Sequence, residues 1–192
     1  KLILFVWPLI QFFLLFGSLI SICWFKHLTV VEAVILMLVQ GMITGAVGIT
    51  FAHELMHQKT KLERFLADIL MAMAFYGHFR TEHVFVHHRY VGTIKDAVTA
   101  RFNESFYTFF LRVIPQCLIS AWSVEAQKLA AKNKSTFNMS NPFYTYAALA
   151  SLFILLSFII GGTYGIILFF IQALVAILHL EVVNYIEHYG LS

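Results

Sequence analysis

The sequence predicts an all-α, polytopic membrane protein: two transmembrane helical hairpins, with cytoplasmic and interfacial helices that carry a histidine-rich site. Three observations lead there. Of the 192 residues, 60% are hydrophobic and only 12% charged, with a mean hydropathy of +0.80. A soluble domain is about half apolar and a quarter charged. Four segments are each long and apolar enough to cross a bilayer, which takes about 20 residues. Histidines stand in pairs and triples just outside those segments.

The four segments are residues 2–25, 29–52, 143–160 and 163–186. Lys26-His27-Leu28 joins the first two and Gly161-Gly162 the last two, so each pair reads as a tight hairpin. Gly41, Gly45 and Gly48 punctuate the second segment, and small residues at such spacing let helices pack closely. The chain opens inside an apolar run without an initiator Met and stops after Gly190-Leu191-Ser192. It reads as an internal fragment whose first segment is a span rather than a signal peptide.

Residues 62–79 are apolar, but Glu63, Arg64, Asp68, His78 and Arg80 interrupt or flank them. Were this helix to cross the bilayer, the histidines before and after it would lie about 30 Å apart on opposite faces. One metal centre could not then use both sets. The basic flanks favour a helix lying at the interface. Residues 106–121 have the same character, with Arg112 and Pro115 inside; 123–134 turn polar and helix-forming, and 133–142 form a turn-rich link.

Charge sets the orientation. Net charge is +3, and 11 of the 13 Lys and Arg residues lie between Lys59 and Lys134, leaving only Lys1 and Lys26 outside. Cationic loops stay cytoplasmic, which puts the region 53–142 on that side. The four-span count then returns every histidine motif to the same face. Topology accounts for the basic excess, so it implies no nucleic-acid role. Cys23 and Cys117 lie in apolar surroundings, without the spacing of a disulfide or metal motif.

Six of the nine histidines form three motifs. In His53-Glu54-Leu-Met-His57 the i, i+4 spacing places both imidazoles on one helical face, able to hold one ion. Alone, this is also the zinc-protease pattern, with Glu54 as general base. In Glu82-His83-Val-Phe-Val-His87-His88, a helix would put His83 and His87 on one face and turn His88 about 100° from its neighbour. His87 and His88 can thus serve different ions. In Glu181-Val-Val-Asn184-Tyr-Ile-Glu187-His188, the acid, the amide and the histidine are spaced i, i+3, i+7 along one face. Six imidazoles exceed what one tetrahedral zinc uses, and imidazole suits iron and copper as well. Metal-bound histidines usually give their second nitrogen to a carboxylate or carbonyl; Glu54, Glu82, Asp96, Glu181, Asn184 and Glu187 are the candidates. His27, His78 and His179 belong to no motif.

The pieces His53-Glu54-Leu-Met-His57-Gln-Lys59, Gly77-His78-Phe79-Arg80-Thr-Glu82-His83 running into His87-His88, and Asn184-Tyr185-Ile-Glu187-His188-Tyr189-Gly190-Leu191 resemble the membrane-bound alkane 1-monooxygenases. These belong to the wider group of histidine-box desaturases and hydroxylases. Asp96 to Arg101 and Glu104-Ser-Phe-Tyr also look familial, and the likeness covers essentially the whole chain. Two departures stand out: Val86 occupies the position before the paired histidines where the family has glycine, and the family's further His-Ser-Asp-His-His box would lie beyond Ser192.

The resemblance implies a non-haem di-iron centre held mainly by histidine, with His53, His57, His83, His87, His88 and His188 as metal-binding and catalytic residues. It further implies O2 as oxidant, rubredoxin with its reductase as electron donor, and hydroxylation of the terminal methyl of an alkane or alkyl-aromatic to a primary alcohol. The setting implied is a bacterial inner membrane with the metals on the cytoplasmic side. Three alternatives stand beside it: a fatty-acid desaturase-like oxidase, a membrane zinc metalloprotease and a metal-free homologue.

Overall fold

The structure is a computed structural model that describes residues 1–191. Every regular element among the described residues is helical. Three helical stretches are long and apolar enough to cross a membrane: Leu2–Cys23, Val30–Met56 and Phe143–His188. The chain is an integral membrane protein. It divides into two compact units, Lys1–Gly77 with Ala147–His179, and His78–Tyr146 with Leu180–Ser192.

In the first unit, α1 (Leu2–Cys23) buries Leu15, Phe16, Leu19 and Ile22 and exposes Leu2, Ile3, Leu9 and Phe13. α2 (Val30–Ile43) begins at a capping box. The Thr29 hydroxyl accepts from the Glu32 amide, and the Glu32 carboxylate accepts from the Thr29 amide. Such reciprocal caps satisfy amides that a helix start leaves without partners. The same chain direction continues through a π-turn at Thr44–Ile49 into α3 (Thr50–Met56). Close packing explains the glycines here. A Cβ on Gly41 would stand 2.6 Å from the Gln172 carbonyl oxygen and from Val175 Cβ, and one on Gly45 2.9 Å from His179 Cβ.

α4 (Lys61–Met73) starts at a second capping box, Thr60 with Glu63. Its 13 residues make a rod of about 20 Å, short of the roughly 30 Å hydrocarbon core. Its length therefore fits an interfacial helix better than a span. Its buried side carries Ala67, Leu70, Met71 and Met73.

α8 (Phe143–His188) contains one non-helical residue, Gly162, at φ 58°, ψ −145°. Glycine alone reaches such angles without steric cost. A Cβ on Gly165 would collide with the Ser157 carbonyl, eight residues back, whereas eight residues of straight helix span about 12 Å. The two arms therefore fold back on each other at Gly162. The 46-residue stretch is thus two helical arms joined at Gly162, where the sequence places the joint at Gly161-Gly162.

In the second unit, α5 (Phe79–Glu82) leads through a π-turn at His83–His87 into α6 (His88–Tyr90). A loop over residues 91–105 follows, then α7 (Phe106–Ala130), capped by the Ser105 hydroxyl. The sequence separates 106–121 from 123–134, but the structure carries one helix across the join. A change from apolar to polar residues does not by itself end a helix, and nothing near Trp122 breaks it. Ala97, Val98, Ala100, Phe109, Val113 and Cys117 form a small core under the loop, with Phe106, Ile114 and Tyr185 against it.

Candidate metal centre

The first unit supplies one histidine pair. His53 lies in the last turn of α3 and His57 is its C-cap; their ring centroids are 4.8 Å apart at 75°. Both are exposed. Glu54, between them, accepts a 2.7 Å hydrogen bond from Gln58 Nε2.

The second unit supplies four of the motif histidines, arranged as two pairs. His83 and His88 bring their Nε2 atoms to 2.9 Å. The π-turn is responsible: the His88 amide donates to the His83 carbonyl, five residues back. In an unbroken α-helix His88 would sit about 140° around the axis from His83. His87, stacked beside His83 at 5.1 Å between centroids, faces elsewhere. Its Nδ1 lies 2.9 Å from Asp96 Oδ2, and its ring is 4.8 Å from that of His188, edge to face. His188 in turn places its Nδ1 2.8 Å from the Asn184 carbonyl oxygen. Both rings have one nitrogen anchored to an acceptor, which leaves Nε2 for a metal.

Acidic groups crowd the second unit's histidines. Asp96 is buried; burial alone would raise its pKa, but hydrogen bonds from His87, the Thr99 hydroxyl and the Val98 amide hold it below the ordinary carboxylate range. Glu82 is fully buried with neither oxygen hydrogen-bonded. Burial, with the charges of Asp96 and Glu181, pushes its pKa up to about 9. Glu181, also fully buried, accepts from Asn184 Nδ2 at 3.1 Å. Glu187 is exposed. His78 is half-buried, and burial lowers its pKa to about 4.

These residues fit a metal. Two imidazole nitrogens held by one ion at about 2.1 Å and roughly right angles stand about 3 Å apart, the separation seen between His83 and His88. The bare carboxylate of Glu82 is the kind of buried group that a nearby cation stabilises.

The sequence profile of the fatty acid desaturase family matches residues 28–192. The chain belongs to that family. Alkane 1-monooxygenase 2 of Pseudomonas aeruginosa is 37% identical over 151 residues, 79% of this chain and 40% of the relative. Alkane 1-monooxygenase 1 of Alcanivorax borkumensis is 35% identical over 187 residues, 92% of this chain and 44% of the relative. The hydroxylase component of the xylene/toluene monooxygenase of Pseudomonas putida is 34% identical over 152 residues, 78% and 40% of the two chains. The chain thus spans about 40% of the length of the curated relatives it matches.

His83 and His88 are joined by a π-turn, a device common at functional sites. Residues outside any histidine motif brace these histidines. The sequence does not single out Thr99, although an Asp that bonds the backbone two residues on, as Asp96 does to the Val98 amide, is a common turn. Nothing in the sequence marks Arg112, Glu104 and Tyr185 for this purpose. Tyr185 donates to the Glu104 carbonyl at 2.6 Å, and the Gly190 amide to the Ala100 carbonyl at 3.2 Å, which ties the segment bearing His188 to the loop bearing Asp96.

Proposed function

We propose that the chain is the histidine-bearing part of an alkane 1-monooxygenase. The parent enzyme oxidises the terminal methyl of an alkane, or the methyl of an alkyl-aromatic, to a primary alcohol. The balance is R–CH3 + O2 + 2 e⁻ + 2 H⁺ → R–CH2OH + H2O, with rubredoxin as the electron source. The names of the similar proteins support both substrate classes. The observation that carries the reading is the double histidine pairing of the second unit, with His87 and His188 each anchored at Nδ1.

In this reading His53, His57, His83, His87, His88 and His188 hold two iron ions, which supply O2 binding and the oxidation of the C–H bond. Asp96 and the Asn184 carbonyl fix the rotation and protonation of the rings they touch. Glu82 and Glu181 balance the positive charge of the metals from buried positions. Glu54, bonded to Gln58, and Glu187, exposed, belong to the surface rather than to the ligand set. With Gly162 as the second hairpin joint, four spans keep residues 53–142 on one face, and their basic excess favours the cytoplasmic side of a bacterial inner membrane for it. The alkane, with no polar handle, enters from lipid, and the electron donor arrives from water.

A desaturase-like oxidase is the second reading, since the family name itself describes it. A zinc protease would need only His53, His57 and one more ligand, which leaves the second cluster unexplained, and it needs Glu54 aimed at a water rather than at Gln58. The test uses the full-length protein with iron, rubredoxin, its reductase and ¹⁸O2. Label in a terminal alcohol supports the hydroxylase; an alkene without label supports the desaturase and overturns the hydroxylase.

A further inference from the structure

Arg112, in α7, uses all five of its N–H groups. Nε and Nη2 grip both oxygens of Glu104 at 2.8 Å each. Nη1 donates to the Ala97 carbonyl at 2.9 Å and to Gln116 Oε1 at 3.0 Å, and Nη2 donates to the Thr99 carbonyl at 3.3 Å. The guanidinium carries five donors in a fixed plane, so every one is spent on a protein acceptor. Four of these bonds go to the 91–105 loop, at both ends of the stretch that begins with Asp96. Arg112 therefore braces this loop at both ends, in the absence of any helix or strand over those residues.

The loop in turn presents Asp96. Its Oδ1 accepts from the Val98 amide at 3.1 Å, and its Oδ2 accepts from Thr99 Oγ1 at 2.7 Å and meets His87 Nδ1 at 2.9 Å. Ala97 and Thr99, whose carbonyls Arg112 holds, flank those very donors. The Glu104 side chain also accepts from the Arg101 amide at 3.0 Å, so the far end is fixed by the same pair. A lysine could supply the charge but not the planar fork.

We infer that Arg112 is a positioning residue for the metal site: through the Ala97 and Thr99 carbonyls it sets Asp96, and through Asp96 the rotation and tautomer of His87. The inference rests on the metal-centre reading, but its first test does not need metal. In the full-length apoprotein, ¹⁵N NMR of labelled histidine reads the His87 tautomer. Wild type holds the proton on Nδ1, facing Asp96, and Arg112→Lys mixes the tautomers as Asp96→Asn does. An unchanged His87 signature in folded R112K overturns the inference.

The second test titrates Co(II) alone into the apoproteins. R112K and D96N each weaken binding about 10- to 100-fold, the usual cost of losing a ligand's outer partner. The double variant binds no worse than D96N, because both act on one ring. Losses that multiply overturn the inference, since Arg112 would then act independently of Asp96. If R112K is not recovered folded, Glu104→Gln reads the same grip: a His87 shift that D96N abolishes supports the inference, and a wild-type signature overturns it. Wild type that takes up no Co(II) overturns the metal-centre reading itself, and is told apart by the metal-free tautomer measurement.

Discussion

His83 and His88 bring their Nε2 atoms within 2.9 Å of each other because a π-turn joins them. The turn also frees His87, one position earlier, to face Asp96 and His188. One inserted backbone step thus separates two neighbouring histidines into two pairs.

The first prediction concerns that pair. His83→Ala and His88→Ala each remove a ring from the same point, so each lowers iron affinity by more than the roughly 10- to 100-fold that loss of an outer partner costs. Anaerobic Fe(II) titration of the full-length protein checks this. Wild-type affinity in either variant would take that residue out of the ligand set.

The Glu104–Arg112 grip makes stability depend on pH. The Arg112 hydrogen bonds outweigh burial and hold the Glu104 carboxyl below its ordinary value of 4.5. A carboxylate depressed on folding stabilises the protein above its unfolded pKa, and that contribution is lost as pH falls through the folded value. Wild type should therefore melt above Glu104→Gln at neutral pH, and the gap should close under acid conditions below the ordinary carboxylate range. A gap that stays constant down to the acid limit would show that the carboxylate charge is not what the grip uses.

Glycine packing gives a contrast between two sites. A Cβ on Gly41 meets backbone and Val175 at 2.6 Å, whereas one on Gly17 meets nothing within 4 Å. Gly41→Ala should cost about 1–3 kcal/mol through overpacking. Gly17→Ala should be neutral or gain roughly 0.5–1 kcal/mol from helix propensity. Thermal or denaturant unfolding in detergent reads both, and equal effects would show that α2 does not pack through Gly41.

Gln172 is fully buried, accepts from Thr44 Oγ1 at 3.1 Å and donates to the Met73 carbonyl at 2.7 Å. Gln172→Leu leaves both groups without their partner. The cost should be about 1–3 kcal/mol, measured in the same unfolding assay. No loss of stability would mean that other groups or water replace these bonds.

Much of this was legible in the sequence. Apolar runs marked α1, α2 and both arms of α8, and Gly161-Gly162 marked the joint, because an uninterrupted hydrophobic stretch has few other solutions. The i, i+4 spacing paired His53 with His57, and the i, i+3, i+7 spacing aligned Glu181, Asn184 and His188. The partnership of His83 with His88 was not legible, because a π-turn shifts the helical phase that any periodicity argument assumes. Nor was the role of Arg112, which reaches back 8 to 15 residues into a loop with no repeating pattern. Glu82 could be flagged as an acid beside a histidine, but its complete burial without a hydrogen-bond partner belongs to tertiary packing alone.

The most direct test is a metal count on the purified full-length protein, paired with the same count on His87→Ala and His188→Ala. The account predicts about two iron ions per chain, with less iron in both variants while the fold persists. A folded wild-type protein holding a single zinc, or one whose iron content neither substitution changes, would contradict it.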